Sequence, residues 1–243
     1  METATTVPPR PPGRPRAFDR EAALQAAMHL FWEHGFEGTS LAQLTAAMGI
    51  TPPSLYAAFG DKRGLFVEAV ERYLGGAGAV AEGIARAPSA YDAARDLLVA
   101  AAIGDTGAAT PRGCLLASSM VSSSMAARDI REELAAMRRA IESALRDRIE
   151  QGIRNGELPA DSDADALAGH VFTVVQGMST LAKDGADRDK LMRVVDQAMA
   201  GWPRLRESVD RRSAAGLHGQ APGHDAAQRT SHGEPTASSA TLR

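Results

Sequence analysis

Residues 39–62 read Thr39-Ser-Leu-Ala-Gln-Leu-Thr-Ala-Ala-Met-Gly-Ile-Thr-Pro-Pro-Ser-Leu-Tyr-Ala-Ala-Phe-Gly-Asp-Lys62, which predicts two short helices set at an angle around a glycine turn. Ser40 caps the first, and Gln43, three residues on, completes a capping box. Leu41, Leu44 and Met48 recur on one face of it. Gly49 accepts the left-handed backbone of a tight turn at no steric cost. Thr51 caps the second helix, with Pro52 at the first helical position, where a missing N–H does no harm. Leu55 and Phe59, four apart, give that helix an inward face, and Gly60 ends it. Such a pair is a helix-turn-helix, the arrangement that lays its second helix in the DNA major groove.

The flanks support this reading. A first helix runs from about Asp19 to His34, with Leu24, Ala27, Met28 and Phe31 as its core stripe. Trp32 and Phe36 close the same small core, and Gly35 and Gly38 flank the next turn. From Asp61 a longer helix carries Leu65, Phe66, Ala69, Val70 and Tyr73. Gly75-Gly-Ala-Gly78 interrupts it, at up to about 1 kcal/mol per glycine relative to alanine. That break reads either as a hinge or as close helix packing.

The wording of Phe31-Trp-Glu-His-Gly-Phe-Glu-Gly-Thr-Ser-Leu and of Ala47-Met-Gly-Ile-Thr-Pro-Pro-Ser-Leu-Tyr-Ala-Ala-Phe-Gly-Asp-Lys-Arg-Gly-Leu-Phe66 closely resembles the TetR (tetracycline repressor) family of bacterial regulators. The close match covers roughly residues 14–74; the remainder is similar only in helical layout. The fold implied is all-α, a three-helix helix-turn-helix head followed by a helical body. The predicted division is a flexible basic arm at 1–16, a DNA-binding domain at 17–63, a ligand-binding and dimerisation domain at 64–203, and a disordered tail at 204–243.

Candidate DNA contacts follow from position. Thr51, Pro52, Pro53, Ser54 and Ala57 face the groove, and none is Arg, Lys, Asn or Gln, the strong bidentate readers of bases. Apolar contacts from the prolines and Ala57, with hydrogen bonds from Thr51 or Ser54, are expected, and DNA shape has to supply much of the specificity. Tyr56 lies opposite the core stripe, where its hydroxyl reaches phosphate or its ring packs on the first helix. The family resemblance favours phosphate for Tyr56 and for Lys62. Thr39 and Ser40 offer hydroxyl and N–H groups to phosphate while capping. Arg14 and Arg16 form either a tether or an arm entering the minor groove.

The whole chain does not advertise nucleic-acid binding: its formal net charge is −3 over 243 residues. The basic character is local, with Arg10, Arg14 and Arg16 against Glu2 at the start. No run is apolar and long enough to span a membrane, and the first ten residues lack the order of a signal peptide. The single cysteine, Cys114, excludes an internal disulfide and fits a reducing cytoplasm.

The body reads as helical throughout. Ser89 caps a helix with Tyr91, Ala94, Leu98 and Ile103, and a loop follows from Gly104 to Arg112. Asp129 to Asn155 is a long charged helix with Ile130, Leu134, Met137, Ile141, Leu145 and Ile149 as its seam. Helices from Asp161 or Ser162 to Lys183, and from Asp187 to about Trp202, complete it. The resemblance implies that these last two pair with a second copy as a four-helix homodimer interface, through Leu167, Val171, Val174, Val175, Met178, Leu181, Leu191, Val194, Val195 and Met199; intrachain core is the competing role. Candidate walls of a small-molecule effector pocket are Tyr91, Leu98, Cys114, Met120, Met125, Met137, His170, Phe172 and Met178. Cys114 is expected at a helix start near Arg112, where N–H groups and the cation lower a thiol pKa; a small buried apolar role competes with a redox-sensing one. No metal site, cofactor motif or catalytic constellation stands in the sequence, so an enzyme is not expected. The function read here is an effector-released repressor on a palindromic double-stranded operator.

Overall fold

The computed structural model describes residues 18–76, 78–118 and 128–205. Its regular structure there is helical: α1 (Arg20–Gly38), α2 (Leu41–Met48), α3 (Pro52–Phe59), α4 (Lys62–Tyr73), α5 (Ala79–Arg86), α6 (Ala90–Asp105), α7 (Leu115–Ser118), α8 (Arg128–Arg154), α9 (Ala164–Lys183) and α10 (Arg188–Ala200).

The head forms because its caps and stripes agree. Asp19 accepts the N–H groups of Glu21 and Ala22 and starts α1. Gly35, at φ 72°, breaks α1 near its end and turns the chain toward α2. Ser40 and Gln43 make the capping box, and Gly49 adopts φ 65°, ψ 29° in the turn. Phe31, Leu44, Leu55, Leu65 and Phe66 are fully buried between the four helices. The Phe31 and Phe66 rings meet edge to face at 4.9 Å, and Phe36 meets Phe66 at 5.2 Å. Burying side chains of this size contributes roughly 1.5–3 kcal/mol each. Leu41, expected in the inward stripe, is only half-buried, and Thr45 is buried instead. Thr45 donates its hydroxyl to the Leu41 carbonyl at 2.9 Å, which lets a polar side chain sit inside.

In the body, α6, α8 and α9 pack together, α5 lies on α8, and α10 lies on α6 and α9. The α8 seam is buried at Ile130, Leu134, Ile141, Leu145 and Ile149, with Met137 half-buried. Arg148 is buried among these; its guanidinium donates to Glu157 at 3.1 Å and to the Ala87 carbonyl at 3.3 Å. Of the apolar residues named on α6, Ala94 and Leu98 are buried and Ile103 is exposed, while Ala102 and Asp105 face inward. The helix runs two residues into the expected loop, through Gly104 to Asp105, and carries Asp105 into the protein.

Candidate nucleic-acid interface

The start of α3 is built to present side chains outward. Thr51 Oγ1 lies 2.9 Å from Ser54 Oγ and accepts the Ser54 N–H at 3.4 Å. Pro52 and Pro53 occupy the first two helical positions, where no N–H is needed. With Leu55 and Phe59 buried, Thr51, Pro52, Pro53, Tyr56 and Ala57 are all exposed and Ser54 is half-buried. Tyr56 is 47% exposed although its chain neighbour Leu55 is sealed. A stiff ring is thus held in solvent by the helix that anchors Leu55.

Ser40 is exposed beside this surface; its N–H donates to Gln43 Oε1 at 2.8 Å. Thr39 does not join it. The residue is fully buried, and its hydroxyl donates to the Gly35 carbonyl at 2.7 Å. The expectation of a phosphate contact from the Thr39 hydroxyl is therefore corrected: it ties the end of α1 to the start of α2. Lys62 opens α4 with its ammonium 4.5 Å from the Phe36 ring centroid. Partial burial lowers its pKa, opposed by Glu37. Arg14 and Arg16 lie outside the described residues.

Arg20 was not legible as part of this surface. It donates to Glu68 on α4 at 2.7 Å and to the Ala58 carbonyl at 3.2 Å, and its guanidinium lies 4.4 Å from the Phe59 ring. One side chain from α1 thus clamps the end of α3 to α4. Its partners stand 38 and 48 residues away, so no local pattern marks them.

Two family models match: the bacterial regulatory proteins of the tetR family over residues 23–69, and the tetracyclin repressor-like C-terminal domain over residues 93–199. The HTH-type transcriptional repressor ComR of Escherichia coli is 37% identical over 195 residues, spanning 79% of this chain and 93% of ComR. The chain belongs to the TetR family. It is a transcriptional regulator rather than an enzyme, as its relatives are. The uncharacterised HTH-type regulator YezE of Bacillus subtilis is 31% identical over 193 residues, covering 77% of this chain and 98% of YezE. Among solved structures, a cysteine mutant of the TetR family regulator CifR, complexed with 26-base-pair double-strand operator DNA, is 44% identical. It superposes with a TM-score of 0.73 over 79% of this chain and 100% of that one.

As in a two-part regulator, head and body meet through specific contacts. Trp32 donates its indole N–H to the Gly113 carbonyl at 2.6 Å, and its ring meets Tyr73 edge to face at 4.7 Å. The Cys114 N–H donates to Ser179 Oγ at 2.8 Å. Gly113 has φ 79°, and a Cβ there would come within 2.7 Å of Lys183 Cγ, so a glycine lets this loop close on α9. Arg63 on α4 pairs with Glu133 on α8 at 2.9 Å. The expected lowering of the Cys114 thiol pKa is overturned. Burial pushes it up and outweighs the Tyr73 hydroxyl that hydrogen-bonds it, while Arg112 is turned away to the Ala186 carbonyl at 2.9 Å. Asp105 is nearby, fully buried, with its carboxyl pKa raised to about 7 by burial against the pull of Lys183. Its Oδ2 has no hydrogen-bond partner.

The candidate effector residues do not converge. Leu98 and Met178 are sealed in the core. Tyr91 packs against Trp202 at 6.3 Å, His170 is exposed and Phe172 half-buried on α9. Met120 and Met125 lie outside the described residues. Met137 lines a cleft with Leu74 and Ile141, a neighbourhood the sequence reading had not assembled. The ten apolar residues expected at a dimer interface divide cleanly. Val171, Met178, Leu191, Val195 and Met199 belong to the intrachain core, whereas Leu167, Val174, Val175, Leu181 and Val194 remain half-buried. Among the described residues no helix is long and apolar enough to cross a membrane.

Proposed function

We propose that this protein is a homodimeric repressor that binds a palindromic operator through α3 and releases it when a small molecule binds the body. The observation that carries the DNA reading is the outward face of α3, with Tyr56 held in solvent on a rigid three-helix head. CifR, 44% identical, has been solved on its operator, which supports the same use here. Pro52, Pro53 and Ala57 contact thymine methyls, Thr51 or Ser54 hydrogen-bonds a base edge, and Ser40, Tyr56 and Lys62 engage phosphate. Arg14 and Arg16 reach the adjacent minor groove. The half-buried residues of α9 and α10 pair two copies, setting the heads about 34–36 Å apart.

The test is binding to the DNA upstream of the protein's own gene across a salt series. Lys62→Ala flattens the slope of log affinity against log salt by about one unit. Tyr56→Phe weakens specific binding by about 1 kcal/mol through the lost hydroxyl. Pro53→Arg changes operator preference. Operator binding that neither Tyr56→Phe nor Lys62→Ala disturbs would mean that another surface faces DNA.

Sensing of oxidants or electrophiles through Cys114 is the weaker reading. Its buried thiol stays protonated at neutral pH, and thiolate is the reactive form. Cys114→Ser is therefore expected to leave the effector response intact.

A further inference from the structure

An apolar cleft of about 170 Å³ lies where the end of α4 meets α5 and α8. Leu74 and Val80 line it from the α4–α5 segment, and Met137, Ala140 and Ile141 from α8; Glu71 is the one ionisable side chain in its wall. The glycine break explains the space. Gly75, Gly76 and Gly78 adopt φ of 81°, 115° and 77°, and Gly76 and Gly78 line the cleft beside Met137 without a side chain to fill it. Met137 is correspondingly the half-buried member of an otherwise buried seam.

We infer that this cleft is the effector site, and that it takes a molecule the size of one aromatic ring bearing a hydroxyl or amine donor directed at Glu71. The inference rests on the repressor reading above and gives it a ligand class. The size follows from volume, since an apolar cavity of about 150 Å³ accommodates benzene. The donor follows from charge. Glu71 has no ion-pair partner among the described residues, and a carboxylate only accepts hydrogen bonds. Its negative charge turns away an anionic ligand.

The position gives leverage. Near its start, α4 is held to α8 by Arg63 and Glu133, while the cleft separates its far end from α8. Leu65 and Phe66 of the same helix sit in the head core. A ligand between Leu74 and Met137 sets the spacing of α4 from α8, and the head follows α4. Release requires tighter binding to that geometry than to the DNA-bound one.

The experiment uses the full chain with benzyl alcohol, toluene and benzoate, followed by the methyl NMR signals of Met137 and Ile141 and by operator affinity. Benzyl alcohol gives saturable shifts at both methyl groups and lowers operator affinity several-fold. Toluene binds the same methyls about threefold to tenfold more weakly, the worth of one hydrogen bond in a wet site. Benzoate produces no saturable shift. Ala140→Leu, which puts an isobutyl group at the cleft, abolishes the shifts, with folding checked by its unfolding midpoint. Glu71→Ala keeps toluene binding and removes the preference for benzyl alcohol. Absence of saturable shifts in the natural protein, or shifts that survive Ala140→Leu, would overturn the site. Saturation with operator affinity unchanged would overturn its effector role. If the protein binds no operator at all, the repressor reading fails, and the methyl shifts still decide whether the cleft binds.

Discussion

Helix α3 and the loop that follows α6 are both held by side-chain hydrogen bonds, but over opposite distances. The start of α3 is secured within four residues, by Thr51 and Ser54. The loop is secured from afar. Trp32 reaches Gly113 across 81 positions, Arg112 reaches Ala186 across 74, and Cys114 reaches Ser179 across 65. Local partners leave the outer face of α3 uncommitted, as a surface that must meet another molecule requires. Distant partners enclose polar groups, and Asp105 shows the cost of doing so incompletely.

The largest expected effect probes the anchor behind the first region. Leu55→Ala removes a fully buried side chain from the head and is expected to lower stability by about 2–5 kcal/mol in urea unfolding. A loss below about 1 kcal/mol would mean that the head core is not what orients α3.

The next effect belongs to the end of α6, where that loop begins, and depends on pH. The Asp105 carboxyl titrates near 7 in the folded protein instead of near 3.8, so folding holds its proton more tightly than the unfolded chain does. The resulting penalty is absent below the unfolded pKa, grows as pH rises from about 4, and is complete above 7. Asp105→Asn is therefore expected to raise stability by about 2 kcal/mol at pH 8 and by clearly less at pH 5. A gain equal at both pH values, or a loss at pH 8, would show that Asp105 is paired when ionised.

Thr51→Ala should cost about 1 kcal/mol, the worth of one cap, and Thr51→Ser should restore most of it. If Thr51→Ala costs nothing, local capping does not hold α3. The smallest effect is expected for Arg63→Ala. Its partner Glu133 is across the joint, yet Arg63 is about half exposed, so thermal stability should fall by less than about 1 kcal/mol.

The head was legible because its determinants are short-range. Asp19, Ser40, Thr51 and Asp61 each cap a helix within three residues, and Leu44, Leu55 and Phe59 lie where a 3.6-residue period puts them. Thr39 misled because a hydroxyl at a helix start suits both phosphate and a backbone carbonyl, and only packing against α1 selects the carbonyl. The buried side of α6 was not legible, because one helical period cannot tell two neighbouring faces apart when both are rich in alanine. Arg20 gave no signal, since a clamp is defined by the helices it joins.

By itself, then, the sequence determined an all-helical chain, the four helices of the head, the helix-turn-helix with its outward α3 face, and membership of a family of regulators. Caps, glycine turns and apolar periodicity act over a few residues, and their information survives in a linear string. The tertiary structure alone decided which side of α6 is buried, that Cys114 is a raised-pKa thiol against Tyr73, and that Leu74 and Met137 line one cleft. Burial, desolvation and cavity shape depend on residues distant in sequence, and they come into being only when the helices pack.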